Sequence, residues 1–108
     1  MNNSKVLDLR HLAPYIAHNP GLVAELAGLF RQGAFGLLAG LEASLASRAP
    51  EEWGRQLHTL KGLALSMGAQ VLAERVAAAE AVPPSALALS GLRAAVAECE
   101  SALKLRGH

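Results

Sequence analysis

The sequence predicts an all-α protein, an antiparallel up-and-down four-helix bundle with a short extra helix at its N-terminus. Three observations lead there. Alanine and leucine dominate the 108 residues while valine, isoleucine and threonine are scarce, so local propensity favours helix over strand throughout. Prolines punctuate the chain at Asn19-Pro20, Ala49-Pro50 and Pro83-Pro84-Ser85, each beside a plausible helix start, because proline is best tolerated in a first helical turn. Between these marks apolar residues recur at helical spacing, and short connections between helices of such length favour antiparallel neighbours. A chain of 108 residues is expected to form one domain over its whole span, 1–108.

The N-terminal segment, about 6–16, sets Leu9, Leu12 and Ile16 at helical spacing and is expected to pack as a capping helix. The first long helix is expected over about 20–48, with Leu22, Leu26, Leu29, Phe30, Leu37, Leu41 and Leu45 as its apolar stripe. Gly28, Gly33, Gly36 and Gly40 interrupt it, and close approach of a neighbouring helix is the expected reason. The second helix, about 50–67, begins at Pro50 with Glu51 and Glu52 in the turn where the macrodipole favours negative charge. Its apolar line is Trp53, Leu57, Leu60, Ala64 and Met67. Gly68 reads as a C-terminal stop, and a third helix follows over about 69–81 with Val71, Leu72 and Val76 on its apolar side. The last helix, about 85–105, aligns Leu89, Leu92, Val96, Cys99 and Leu103, which assigns the single cysteine to the core.

Several function classes are disfavoured. A net charge of +1 gives no basic stripe for a phosphate backbone, and only Tyr15, Phe30, Phe35 and Trp53 are aromatic, so no nucleic-acid partner is expected. The stretch 12–24 is free of Asp, Glu, Lys and Arg but holds two prolines and is too short to span a bilayer; no membrane partner is expected. No signal-peptide core is visible, which makes a cytoplasmic location the expectation. A di-metal bundle would need Glu-x-x-His pairs, and none occurs. His11 and His18, separated by Pro14, read as surface residues near the cap, and the terminal His108 carries no signal.

The second helix holds the informative residue. At 100° per residue its apolar face points roughly 140° away from His58, so the imidazole should project outward. Gly54 and Gly62 lie one turn before and after it, which leaves the ring in a clearing. A mid-helix glycine on an exposed face costs about 1 kcal/mol against alanine, so close approach by another protein is the expected compensation. Lys61, three residues on, is a helical neighbour that could bring its ammonium to anything attached to the ring. Leu65 continues the face with an apolar side chain and Arg55 adds a basic edge; residues 32–35 of the first long helix are a further candidate flank. Imidazole titrates near neutrality, so it can present a lone pair for attack on phosphorus. An exposed histidine is nonetheless most often a merely solvated side chain.

The literal string goes further. His58-Thr59-Leu60-Lys61-Gly62, followed by Gly68-Ala69 and Leu72, resembles the signature of histidine-containing phosphotransfer (HPt) domains, and Glu80 falls where that family tends to place a glutamate. The likeness extends over about 9–103, with two departures: Leu63 stands at a position commonly small, and the Pro83-Pro84 link is short. The resemblance implies a phosphohistidine carrier, not an enzyme with its own ATP site. It implies His58 as phosphoacceptor, Lys61 screening the phosphoryl oxygens, and Gly62 clearing space for a docking receiver domain, with Arg55, Gly54 and Leu65 at the contact. The implied partners are response-regulator receiver domains and a sensor or hybrid histidine kinase. No cofactor belongs to the chain itself: Mg²⁺ comes with the receiver, since phosphoryl transfer needs charge neutralisation and Asp8 is the only aspartate here. Two alternatives stay open, a phosphoacceptor domain excised from a chemotaxis-type or hybrid kinase, and a module that binds receivers or kinases without chemistry.

Overall fold

The computed structural model describes residues 6–106, and every regular element among them is helical. Residues 1–5 and 107–108 of the expected domain, His108 among them, lie outside the described residues. A 3-10 turn, Arg10–Leu12, runs into α1 (Ala13–His18); α2 (Leu22–Ala46), α3 (Pro50–Ser66), α4 (Gln70–Glu80) and α5 (Ala86–Arg106) follow. The four long helices form a helical bundle packed in a ring, α2 on α3, α3 on α4, α4 on α5 and α5 on α2, while α1 rests on α2.

The N-terminal segment departs from the expected capping helix. Residues 6–9 are not helical, yet Leu7 and Leu9 are buried in the core at 1% and 3% exposure. Here burial on the bundle and a backbone bond from the Asp8 N–H to the Gly68 carbonyl (3.0 Å) outweigh local helix propensity. The segment is a strap across the end of α3, followed by a helix only six residues long.

Along α2 the buried positions are Val23, Phe30, Ala34, Leu38, Leu41 and Ser44. The expected leucine stripe is rotated: Leu22, Leu26, Leu37 and Leu45 are half-buried and Leu29 is 65% exposed. Small residues explain the rotation. Ala34 is fully buried, and Ser44 is buried with its hydroxyl donating to the Gly40 carbonyl at 2.8 Å, so small side chains occupy part of the inward face. The glycines of α2 divide into two kinds. A Cβ on Gly40 would fall 2.9 Å from the Gln56 side chain and one on Gly33 would fall 3.4 Å from Leu63 Cδ2, whereas Gly28 and Gly36 face open space. Both contacts are with α3 side chains: at Gly40 the end of Gln56 would have to move, and at Gly33 an added Cβ would sit in ordinary contact with Leu63.

By length and composition α2 is also the one helix among the described residues able to cross a membrane. The stretch 12–24 did not reveal it, because Glu25, Arg31 and Glu42 divide the apolar run. In the fold it is a bundle helix tied to α5 by Arg31–Glu100 (3.6 Å) and Glu42–Arg93 (2.6 Å).

Both α2 and α3 end in the same hydrogen-bonded turn. After α3, the Ala69 N–H donates to Ala64 O (2.8 Å) and the Gly68 N–H to Leu65 O (3.1 Å); after α2, the Ala49 N–H donates to Ser44 O (2.9 Å) and the Arg48 N–H to Leu45 O (3.3 Å). This turn needs a left-handed residue, supplied by Gly68 (φ 64°) in one case and by Arg48 (φ 54°) in the other. At the start of α5 the Ser85 hydroxyl accepts the Ala88 N–H at 3.0 Å, a side-chain cap. Cys99 is buried on α5, and burial pushes its thiol up to about 11, so it stays an unreactive core residue.

Candidate functional site

The site begins with the face of α3 that the core does not use. Pro50 opens the helix, Glu51 and Glu52 occupy its first turn, and Trp53, Leu57, Leu60 and Ala64 bury one side. His58 lies on the other side and is exposed, as are Gly54 and Gly62. A Cβ added at either glycine would meet nothing within 4 Å. No intramolecular packing requires these glycines, and the helix backbone itself forms the surface one turn above and below the ring.

Lys61 pairs with α4. Its Nζ lies 3.6 Å from Glu80 Oε1, the two side chains being 39% and 34% exposed. Arg55 is likewise engaged, its Nη2 donating to Glu52 Oε2 at 2.5 Å. Hydrogen bonds from Gln56 and then Arg55 hold the Glu52 carboxyl below the usual range. The expected basic edges are thus each paired with a carboxylate, and the face is closer to neutral than the count of cations on α3 suggests. Glu52 was visible on the same helix; Glu80 reaches Lys61 only through the packing of α4 on α3.

Leu65 is 61% exposed and borders a cleft of about 510 Å³ together with Asp8, Arg10, His11, Gly68, Ala69 and Gln70. The strap therefore reaches the same end of the face. Asp8 grips Arg10 through both carboxylate oxygens (2.6 and 2.9 Å), and the His11 Nε2 lies 3.2 Å from the Ser66 carbonyl. Nothing local to α3 announces these neighbours: His11 is exposed near the cap, as expected, but its place beside Leu65 depends on how the strap lies on α3, as does that of Arg10. It also named residues 32–35 as one flank, and the structure separates them. Gly33 borders Leu63 on α3, but Phe35 lies under the Arg31 guanidinium (5.5 Å), which reaches Glu100 on α5. Helix rotation, which periodicity alone does not fix, sends Phe35 to the far side.

The sequence signature divides by depth. Leu60, Ala69 and Leu72 are buried in the core at 0–1% exposure, Gly68 makes the turn, and His58, Thr59 and Gly62 are at the surface. The family model for the Hpt domain matches residues 25–107, most of the chain. The chain belongs to the Hpt domain family. Hpt domains carry phosphoryl groups on histidine in phosphorelays, work with the receiver domains and histidine kinases of two-component systems, and have no catalytic site of their own. The matched span starts within α2, so the strap and α1 precede it. No curated protein and no solved structure matches the chain.

The larger leucine at position 63, where an Hpt domain commonly has a small residue, finds its room at Gly33, across the α2–α3 contact. Among the described residues no three His, Cys, Asp or Glu side chains converge on a point where a metal could sit.

Proposed function

We propose that this Hpt domain accepts a phosphoryl group on His58 from the aspartyl phosphate of one receiver domain and passes it to the aspartate of another, as an intermediate in a multistep phosphorelay. The observation that carries this reading is the exposed imidazole standing between two glycines that face open space. A receiver must bring its phosphorylated aspartate to within bonding distance of a ring nitrogen, and side chains at positions 54 or 62 would stand in its way.

The chemistry asks little of this chain. The lone pair of the outward ring nitrogen attacks phosphorus, the N–P bond forms as the O–P bond of the acyl phosphate breaks, and the aspartate leaves as carboxylate. The ring, protonated on its other nitrogen, carries the phosphoryl group until the second receiver's carboxylate reverses the step. Such transfers depend mostly on positioning and on neutralising the equatorial oxygens. Lys61 contributes one positive charge from three residues away, and Mg²⁺ enters with the receiver, whose own acidic cluster holds it. Arg55, Gly54 and Leu65 are the contact residues in this reading, with apolar area giving affinity and charged edges giving specificity. The same reading takes the chain as one domain, its four long helices running antiparallel up and down, and the site as cytoplasmic.

Incubation with a receiver domain phosphorylated by a small acyl phosphate tests the reading. The expected result is an acid-labile, base-stable label on the chain that disappears in His58→Gln. A chain that binds the receiver but takes no label is a docking module without chemistry.

A further inference from the structure

One contact at the site has no part in the transfer chemistry above. Lys61, the cation beside the acceptor, is held by Glu80 from the end of α4, Nζ to Oε1 at 3.6 Å. Glu80 also lines, with Gly54, Trp53 and Leu57, a cleft of about 310 Å³ between α3 and α4, so this residue borders the same flank of α3 as Gly54. We propose that Glu80 is a positioning residue that occupies Lys61 while His58 is free, and so sets how far the transfer equilibrium lies toward the phosphorylated histidine. This rests on His58 being the phosphoacceptor.

An incoming phosphoryl group brings close to two negative charges to a point one helical step from Lys61. It competes with Glu80 for the ammonium, and the Glu80 carboxylate nearby repels the phosphoryl oxygens. Both effects make the phosphohistidine less stable than it would be beside a free lysine. For a carrier that must give up its cargo as readily as it takes it, that is the useful direction. The pair is half-exposed, so its leverage is modest and sensitive to salt.

The test is the equilibrium constant for reversible transfer between a receiver and the full chain, read from label on each after mixing. Glu80→Gln, which keeps the shape of the side chain and removes its charge, is expected to shift the constant toward phosphohistidine by about twofold to fivefold at low salt. The shift should shrink at high salt. In a Lys61→Gln background the same substitution should move the constant much less, a coupling that a merely structural glutamate would not produce. Glu42→Gln, which breaks an ion pair on the α2–α5 side, should leave the constant unchanged. Equal melting temperatures for Glu80→Gln and the parent separate the effect from unfolding. A wild-type label with an unchanged constant in Glu80→Gln overturns the role, as does a shift of the same size with and without Lys61. A wild type that takes no label overturns the carrier reading, and this role with it.

Discussion

Two stretches of α3 and its exit turn use glycine for opposite purposes. At Gly54 and Gly62 the space beyond the backbone is empty, and a side chain would disturb nothing inside the molecule. At Gly68 the backbone is left-handed and a Cβ would fall 2.0 Å from the Asp8 carbonyl oxygen, where no atom can sit. One kind of glycine is dispensable to the fold and the other is demanded by it. In the proposed function, the difference separates what the chain keeps for a docking receiver from what it keeps for its own fold, although both kinds fall within a single sequence signature.

Breaking the crowded side should give the largest effect. Gly68→Ala must both strain the backbone and push the strap off the end of α3, and is expected to cost about 2–4 kcal/mol in denaturant unfolding. A loss below about 0.5 kcal/mol would mean the strap is not seated there in solution. On the open side the signs reverse. Gly62→Leu should slow transfer from a phosphorylated receiver by about tenfold or more, roughly 1.4 kcal/mol in kcat/KM, with the melting temperature unchanged or raised. Gly62→Ala should stabilise the helix by up to about 1 kcal/mol. A bulky residue at 62 that leaves the rate intact would remove the reason for the clearing.

The turn after α2 has the geometry of the turn after α3 without its glycine. Arg48→Gly should relieve the left-handed conformation and stabilise the protein by about 0.5–1 kcal/mol in thermal unfolding, a gain reduced by the greater freedom of glycine in the unfolded chain. The smallest effect concerns the strap itself. The side-chain and backbone hydrogen bonds from Arg10 lower the Asp8 carboxyl from 3.8 to about 2. A carboxylate depressed in the folded state adds stability that is present above 3.8 and lost as the pH falls toward 2. Asp8→Asn should therefore melt slightly below the parent at pH 6, with the gap closing between pH 4 and pH 2; a gap that persists at pH 2 points to some other cause.

Much of the site was legible because it is local to one helix. The exposure of His58 and its spacing from Gly54, Lys61, Gly62 and Leu65 all follow from a period of 3.6 residues, and the apolar line of α3 is dense enough to fix which side turns inward. The line on α2 is not. Its leucines spread around the helix, and its inward face takes in Ala34 and Ser44, whose small side chains give a weaker hydrophobic signal than the leucines left half-buried or exposed. The same uncertainty of rotation misplaced Phe35. Glu80 was visible as a residue and invisible as the partner of Lys61, because the distance between them is decided by how α4 lies on α3.

The amino-acid sequence alone determined that the chain is helical, where its four long helices start and stop to within a few residues, and that one histidine stands on the outward side of α3, since each depends on residues within a turn or two of one another. Tertiary structure decided that residues 6–9 form a strap, that Gly68 has no room for a side chain, and that the lysine three residues from His58 is paired with a glutamate from another helix. Those outcomes depend on how distant segments settle against each other, where burial and close contact override local preference.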